Sequence, residues 1–304
     1  MREVTVSSPA KINLSLLVGP RRPDGFHPLA TVYQAIGLYD QVVAGPGVDG
    51  EFSVAVAGDE RLSVSQVPTD DSNLAMRAAR LLAARHGVEE GVHLTITKGI
   101  PVAGGMAGGS ADAAAALVAC DVLWGTRTPR KELMAMAAEL GSDVPFSLVG
   151  GTAIGTGRGE IIAPAMARGS YWWVVLESGT GMSTPEVYRE FDRIHGDEPP
   201  PEPAVPPELM AALRSGDIER LGAALSNDLQ PAALRLRPEL AQSLGYGLEG
   251  SAHGAVLSGS GPSCLFLTES ELHAIQVAGW LKGYGLGPVS YAPGPVAGAR
   301  VVKP

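Results

Sequence analysis

The chain has 304 residues, of which 45% are hydrophobic and 18% are charged. That composition is typical of a globular protein with one large or two ordinary domains, and it excludes an intrinsically disordered chain. The 23 basic and 32 acidic side chains give a formal charge of -9, without the basic stripe that binding to a phosphate backbone needs, so nucleic acid is not expected as a partner.

The sequence opens into a strand pattern without an apolar signal core, and no later apolar run approaches the length of a membrane span. We therefore expect a cytoplasmic protein that does not engage a membrane. Cys120 lies in a helix pattern and Cys264 in a strand pattern, with no C-x-x-C and no metal-ligand spacing. Both are expected to be buried, reduced thiols.

The first predicted strands cover residues 4–6 and 10–16, where apolar and polar residues alternate with period two. The alternation places Lys11, Asn13 and Ser15 on one face of the second strand. An ordinary solvated face is the simplest interpretation of this polar set.

A turn is predicted over residues 21–25, because Pro23 and Asp24-Gly25 favour turns. Phe26 and His27 follow it, an exposed aromatic ring beside an imidazole, and they suit either ring stacking with hydrogen bonding or loop packing.

Further strands are predicted over 29–44 and 51–57, the first of them rich in β-branched and aromatic residues. A helix over 74–86 follows, for which residues 71–73 supply N-cap chemistry.

A glycine-rich loop, residues 101–110 (PVAGGMAGGS), separates a strand-like run over 92–97 from a helix-like run over 113–123. A glycine loop that opens a helix is an anion site, because its backbone N–H groups are bare and the helix dipole favours negative charge. We therefore expect a nucleotide phosphate here. A P-loop is excluded because Ser110 stands where lysine is required, and the dinucleotide fingerprint lacks its first spacing. A plain glycine-rich turn stays open from this stretch alone.

The next predicted helix begins at Thr128-Pro129 and ends at Leu140, before Gly141. Asp143 follows, either as the N-cap of a short helix with Pro145 in its first turn or as a catalytic carboxylate. The glycine-rich run 150–159 is predicted to be a crossover between domains.

The remaining predicted elements are a strand over 171–176, a helix opening at residue 184, a mobile proline-rich surface loop over 196–207, helices over 208–215, 218–225 and 269–281, a hairpin over 255–267 and a closing strand over 297–302. Because strands and helices do not alternate strictly, the pattern indicates two α+β domains.

Three segments together resemble the ordered motifs of the GHMP kinase superfamily, which includes galactokinase, homoserine kinase, mevalonate kinase and phosphomevalonate kinase. They are residues 9–13 (PAKIN), the glycine loop and residues 258–262 (SGSGP). Within the superfamily, residues 24–27 (DGFH) and 141–146 (GSDVPF) resemble kinases that act on a cytidine diphosphate-linked sugar alcohol of the non-mevalonate isoprenoid pathway. The resemblance spans nearly the whole chain.

The resemblance implies a two-domain α+β GHMP kinase fold with the active site between the domains. Residues 1–155 would form an ATP-binding domain like ribosomal protein S5, and residues 156–304 a ferredoxin-like, substrate-binding domain. The implied reaction passes the γ-phosphoryl group of ATP to the 2-hydroxyl of the methylerythritol moiety, with Mg²⁺ on the triphosphate. A monomer or weak homodimer is expected.

The resemblance also implies roles for individual residues. Lys11 and Asp143 match the catalytic pair, in which Asp143 accepts the hydroxyl proton while Lys11 keeps it ionised and offsets transition-state charge. The positions that match ATP-binding residues are Asn73, Lys98, Pro101, Gly104, Gly105, Met106, Ala107, Gly108, Gly109 and Ser110, with Asn73 and Lys98 near the adenosine and Ser110 also a Mg²⁺ ligand. The positions that match substrate-binding residues are Asn13, Phe26, His27, Thr184, Tyr188, Gly259 and Ser260, with Phe26 and Tyr188 on either side of the cytosine.

The sequence departs from the family pattern at three positions. Ala107 stands where glycine is common and Ala111 where serine is common, so a Cβ disfavours positive φ at one position and a hydroxyl is missing at the other. Phe26 replaces a more usual tyrosine, which keeps stacking and removes a hydroxyl.

Other functions stay open from the sequence. Another small-molecule kinase of the superfamily, such as homoserine or mevalonate kinase, is the nearest. A non-catalytic RNA-binding S5-like module is disfavoured by the acidic charge. A nucleotide-binding regulator without chemistry is disfavoured by the lysine and aspartate at catalytic positions.

Overall fold

The computed structural model describes residues 3–58, 62, 64–102, 104–178 and 180–303, so Ala103 of the glycine loop lies outside the described residues. The strands are β1 Val4–Val18, β2 Leu29–Pro46, β3 Phe52–Gly58, β4 Val92–Lys98, β5 Thr152–Thr156, β6 Ile161–Pro164, β7 Tyr171–Leu176, β8 Ser226–Asn227, β9 Gly254–Leu257, β10 Cys264–Thr268, β11 Val289–Gly294 and β12 Arg300–Lys303. The helices are α1 Leu74–His86, α2 Gly108–Trp124, α3 Arg130–Leu140, α4 Val144–Val149, α5 Thr184–His195, α6 Pro207–Ser215, α7 Ile218–Ala223, α8 Gln230–Leu236, α9 Glu239–Glu249 and α10 Glu271–Lys282. Short 3-10 helices cover Val48–Gly50 and Val64–Gln66.

The larger sheet, eight strands within the described residues, has the order β12-β1-β2-β4-β3, with β5 paired to β2, β6 to β5 and β8 to β1. The two strands predicted over 4–6 and 10–16 are one continuous strand, β1, which runs antiparallel to β2 over its whole length. Its register shifts between Pro9 and Ala10 and again between Asn13 and Ser15. Such bulges re-aim side chains within a strand.

Helices α1, α2 and α3 pack on this sheet around one apolar core. The run Ala113–Ala116 of α2 is fully buried there, and alanine side chains let helix and sheet backbones approach closely. The predicted helix 113–123 in fact begins at Gly108, inside the glycine loop, because glycines carry no apolar periodicity that would reveal its first turn. The predicted N-cap of α1 is confirmed, since the Ala75 N–H donates to Asn73 Oδ1 at 2.9 Å.

The second sheet has the antiparallel order β11-β7-β10-β9. Its central strand β7 is buried on both faces, because Trp173 and Val175 join the core shared with β1 and β2, whereas Val174 and Leu176 pack under α5, α8, α9 and α10. The core between the two sheets therefore holds the N-terminal strands against the C-terminal elements. Both cysteines are buried and free, as predicted.

Two predictions about connections need comment. The run 150–159 is not a crossover, because residues 152–156 form β5 and pair with β2; glycine content concealed a short strand. The proline-rich loop 196–207 is irregular up to the start of α6, as predicted, yet Val205 packs against the core between the sheets. Its mobility stays a prediction.

The division of the chain at residues 155 and 156 also stays a prediction. Strands β6 and β12, which lie beyond that point in the chain, pair into the larger sheet. Among the described residues, no helix combines the length and apolar character needed to cross a membrane.

Two glycines of α9 offer a matched test of core packing. A Cβ at Gly247 would lie 2.1 Å from the Phe266 ring, whereas a Cβ at Gly245 would meet no described atom within 4 Å outside its own helix backbone. We expect Gly247→Ala to destabilise the protein by about 1–3 kcal/mol through overpacking, and Gly245→Ala to stabilise it by roughly 0.5–1 kcal/mol through helix propensity. Denaturant unfolding gives the free energy of unfolding of the wild type and of both variants. Equal changes in that free energy for the two variants would contradict this packing.

Candidate active site

A cavity of about 680 Å³ lies where β1, the glycine loop, α5 and the turn after β9 meet. Of the residues that the sequence predicts for the site, those lining it are Lys11, Asn13, Phe26, His27, Gly105, Ala107, Asp143, Thr184, Tyr188, Gly259 and Ser260. The predicted residues outside its lining are Asn73, Lys98, Pro101, Gly104, Met106, Gly108, Gly109 and Ser110. The structure thus brings the predicted catalytic pair and substrate residues together at one cavity.

The polar face of β1 forms one wall of the cavity. Lys11, Asn13 and Ser15 are buried, so the interpretation of this set as an ordinary solvated face is wrong. Lys11 Nζ donates a hydrogen bond to Asn13 Oδ1 at 2.9 Å, and Asn13 Nδ2 donates to Thr31 Oγ1 at 2.8 Å. Buried polar groups need such partners, and these bonds fix the direction of the ammonium group.

Asp143 enters the cavity from the start of α4. Although it stands at the N-cap position, its side chain makes no capping hydrogen bond within the described residues. Its Oδ2 instead lies 3.7 Å from Lys11 Nζ, with the Asp143 side chain 31% exposed and that of Lys11 8% exposed. The geometry therefore favours the interpretation of Asp143 as a site carboxylate over that of a helix cap.

Tyr33, which the sequence did not single out, completes this group. Lys11 Nζ lies 5.2 Å from the centre of its ring. Burial, reinforced by the charge of Asp143, raises the pKa of Tyr33 well above its ordinary value, so its hydroxyl stays neutral. Tyr33 pairs with Asn13 across β1 and β2, and only knowledge of that register would have pointed to it.

A second part of the cavity is aromatic. Phe26 is 52% exposed, and the Arg158 guanidinium lies 5.1 Å from the centre of its ring. The rings of His27 and Tyr188 lie 5.3 Å apart. A flat ligand would find aromatic faces here on two different elements, the turn before β2 and helix α5.

The imidazole of His27 is held at both nitrogens. Nδ1 lies 2.8 Å from the Gly19 carbonyl oxygen and Nε2 lies 3.2 Å from Asp192 Oδ1. Asp192 was missed in the sequence, although it stands four residues after Tyr188 and so on the same face of α5. Since both ring nitrogens already face protein acceptors, His27 is positioned by the fold itself.

The turn after β9 reaches the same cavity. The hydroxyls of Thr184 and Ser260 are 2.9 Å apart, which links the start of α5 to this turn. Asn227, another residue without a sequence signal, donates from Nδ2 to the carbonyls of Leu257 and Gly259 at 3.0 and 2.7 Å. The turn is therefore fixed from both sides.

The glycine loop packs between β1 and that turn. The Lys11 N–H donates to the Met106 carbonyl at 3.2 Å, and Ser258 Oγ donates to the Gly105 carbonyl at 3.1 Å. Gly105 has φ +77°, and a Cβ there would lie 2.4 Å from the Ser258 carbonyl oxygen, so only glycine fits.

Ala107 adopts φ 58° and ψ 36° at the N-cap of α2 despite its Cβ. A left-handed conformation costs a non-glycine residue roughly 1–2 kcal/mol. The loop therefore keeps the geometry that the Cβ disfavours, and its packing offsets the strain. Ala111 lies in the apolar core between the sheets, where the hydroxyl of a serine would also have to be accommodated.

The two residues predicted near the adenosine are both engaged within the protein. Asn73 caps α1, and its Nδ2 donates to the Pro68 carbonyl at 2.7 Å. Lys98 forms a buried ion cluster, in which Nζ donates to Asp112 Oδ2 at 2.7 Å and to Asp40 Oδ2. Their contact with a nucleotide stays a prediction.

Burial, with the charge of Asp40 added to it, raises the pKa of Asp112 to about 8. Burial also disfavours the charge on Lys98, but the two carboxylates outweigh it and raise the pKa of the ammonium group. At neutral pH this shift favours the protonated form of Asp112 in the folded protein.

Comparison with known proteins gives consistent matches. The chain matches the family models of the GHMP kinases N terminal domain over residues 73–151 and of the GHMP kinases C terminal over residues 209–282. It is 55% identical over 296 residues to the 4-diphosphocytidyl-2-C-methyl-D-erythritol kinase of a Nocardioides species, covering 97% of this chain and 99% of that protein. The enzyme of the same name from Thermobifida fusca is 54% identical, with 98% of each chain covered.

The solved structures with a similar fold include the following two crystal structures. One, of a 4-(cytidine 5'-diphospho)-2C-methyl-D-erythritol kinase, has a TM-score of 0.76 at 32% identity and covers 96% of this chain and 98% of that one. The other, of homoserine kinase from Cytophaga hutchinsonii, has a TM-score of 0.77 at 18% identity, with 99% and 98% covered. At that low identity the second shows the fold alone.

The raised pKa of Asp112 predicts a pH-dependent stability. Between about pH 4 and pH 8 the folded state favours a proton on Asp112 that the unfolded state has released, so the contribution of Asp112 to the free energy of unfolding falls as pH rises, by about 1.4 kcal/mol per pH unit. Asp112→Asn removes this titration and should remove that part of the slope. Unfolding of both proteins across the window measures the difference, and parallel curves would contradict it.

Proposed function

This chain belongs to the GHMP kinase family, and we propose that it phosphorylates the 2-hydroxyl of 4-diphosphocytidyl-2-C-methyl-D-erythritol with ATP as the phosphoryl donor. The observation that carries the proposal is the approach of Asp143 to Lys11, 3.7 Å apart at a cavity that the glycine loop also lines. More than half of the sequence is shared over nearly full length with kinases named for this substrate. The product is an intermediate of the non-mevalonate isoprenoid pathway.

Phosphoryl transfer requires mainly that reactants be positioned and that spreading negative charge be offset. Asp143 would accept the proton of the attacking hydroxyl, and the ammonium group of Lys11 would offset charge on the transferring group. The hydrogen bond from the Lys11 N–H to the Met106 carbonyl ties the strand that carries this cation to the loop expected to hold the phosphates.

Mg²⁺ is proposed as the accompanying metal ion. The described residues contain no group of three or more His, Cys, Asp and Glu side chains that could enclose a metal. Mg²⁺ commonly takes only one or two protein oxygens and draws its other ligands from phosphates and water. Ser110 in the first turn of α2 offers a hydroxyl oxygen of this kind, so the chain has a residue that fits as the protein ligand. The metal would neutralise triphosphate charge.

The cytosine would stack between Phe26 and Tyr188, which both line the cavity. Stacking tolerates any base, so cytosine has to be distinguished from uracil by hydrogen bonds. Because both ring nitrogens of His27 face acceptors of the protein, we assign that selection to main-chain groups beside His27 and not to its ring.

Phosphorylation of homoserine or mevalonate is the alternative. The similarity to homoserine kinase is one of fold, whereas the aromatic pocket supports a substrate that carries a base. ADP release by the purified protein, measured with the cytidylyl methylerythritol, homoserine and mevalonate, tests the choice; turnover of homoserine or mevalonate alone would overturn the proposal. A cytoplasmic location and a monomer or weak homodimer remain predictions.

Replacement of the Asp143 carboxylate by an amide tests whether this residue is the general base. We expect Asp143→Asn to lower kcat by roughly a hundredfold or more, as loss of a general base does. Asp217→Asn is the matched control, because Asp217 caps α7 through the Arg220 N–H at 3.0 Å, and asparagine caps equally well. Steady-state ADP release compares them; near-normal turnover in both would contradict the role of Asp143 as general base.

The substitution Phe26→Ala tests the pocket expected to hold the cytosine. Loss of one stacking face should raise the KM for the cytidine substrate about tenfold, with a smaller change in kcat and none in the KM for ATP. Tyr291→Ala serves as control, since Tyr291 is also partly exposed but lies on β11 and outside the cavity lining. An unchanged KM for the cytidine substrate would remove Phe26 from the pocket.

A further inference from the structure

Three charged side chains meet in the interior next to the glycine loop. Lys98 ends β4, Asp40 lies in β2 and Asp112 lies in the first turns of α2, and all three are buried. Lys98 Nζ donates to Asp112 Oδ2 at 2.7 Å and to Asp40 Oδ2. None of the three lines the cavity described above.

The cluster holds the chain on both sides of the loop. Asp40 Oδ1 accepts the N–H groups of Gly99 and Ile100, at 2.7 and 2.9 Å, immediately before the loop begins. Asp112 follows the loop, on the helix that the loop opens. The lysine joins the two carboxylates and so connects the entry of the loop to its exit.

The first residue of α2 rests directly on this cluster. A Cβ built on Gly108 would lie 3.1 Å from Lys98 Nζ and 3.5 Å from Asp40 Oδ2. Because the bare N–H groups of a helix lie in its first turn, the cluster sits against the segment whose N–H groups would face a phosphate. A displacement of the cluster would therefore move those groups.

Stability alone does not explain the cluster. Burying three ionisable groups is costly, and apolar residues of similar volume often do as well or better. What the ionic arrangement supplies is a fixed direction for each bond. In addition, the positive charge of Lys98 offsets the charge of Asp40. The raised pKa of Asp112 keeps the net charge of the three-residue cluster close to zero, next to the expected phosphate site.

We propose that Asp40, Lys98 and Asp112 are positioning residues that hold both ends of the glycine loop in the geometry that binds the triphosphate of ATP. The proposal rests on the proposed function for the identity of the nucleotide. It also assigns Lys98 an action through the loop in place of contact with the adenosine.

The test compares binding of two probes by the full-length chain, adenylyl imidodiphosphate and adenosine, measured by calorimetry and by competition. Lys98→Met and Asp112→Ala should each weaken binding of the ATP analogue about tenfold or more, since displacement of positioning groups by about 1 Å has effects of that order or larger. Adenosine binding should change less than twofold. Asp112→Asn preserves shape and an oxygen acceptor, and should restore most of the affinity for the analogue.

Leu281→Ala is the control for general destabilisation, because Leu281 is fully buried in α10, in the core under the second sheet. If Lys98→Met does not fold, the comparison of Asp112→Ala with Asp112→Asn decides alone. Equal losses for the analogue and adenosine would assign Lys98 to adenosine contact, and losses no greater than in Leu281→Ala would leave the cluster a purely structural role; either result overturns the proposal. Wild-type protein that binds the analogue but does not phosphorylate the cytidine substrate would contradict the proposed function only.

Discussion

The hydrogen bond from the Lys11 N–H to the Met106 carbonyl, 3.2 Å long, is the contact on which the site depends. It joins β1 of the larger sheet to the glycine loop. The same residue then presents its ammonium group to Asp143. One position thus sets both the location of the loop and the charge that faces it, which is the pre-organisation that phosphoryl transfer needs.

Around this contact the loop is held on three sides. β1 lies along one side, the turn after β9 touches Gly105 through Ser258, and the Lys98 cluster supports the start of α2. The strained conformation of Ala107 is tolerable because these contacts over-determine the local backbone. The contacts that hold the loop come from elements of both sheets, and the apolar core between the sheets fixes the position of these elements relative to one another.

Local patterns predicted much of the fold. Period-two alternation predicted the two parts of β1, β-branched and aromatic residues predicted β2, and the Asn73 cap marked the start of α1. Strand β5 escaped because glycines dominate its surroundings, and α9 escaped because its glycines mask the apolar stripe. In both cases tertiary packing stabilises an element that local propensity does not favour.

Site residues were predictable where they belong to a sequence motif. Lys11 and Asp143 came from a resemblance, since no local rule brings together residues so far apart in the chain. The residues that support the predicted site residues were not predictable. Tyr33 beside Lys11 depends on strand register, and Asp192 beside His27 depends on a contact between α5 and a distant turn. Asp40 beside Lys98 depends on the pairing of β2 with β4.

The pairing of β12 with β1 protects an edge of the larger sheet. Residues 300–303 pair beside Thr5, Val6 and Ser7, so they cover one edge of the strand that carries Lys11. Without β12, this part of the strand would present unpaired N–H and C=O groups, which can template pairing with a second chain. A chain cut before residue 300 would therefore keep every predicted site residue but carry an open strand edge that favours aggregation.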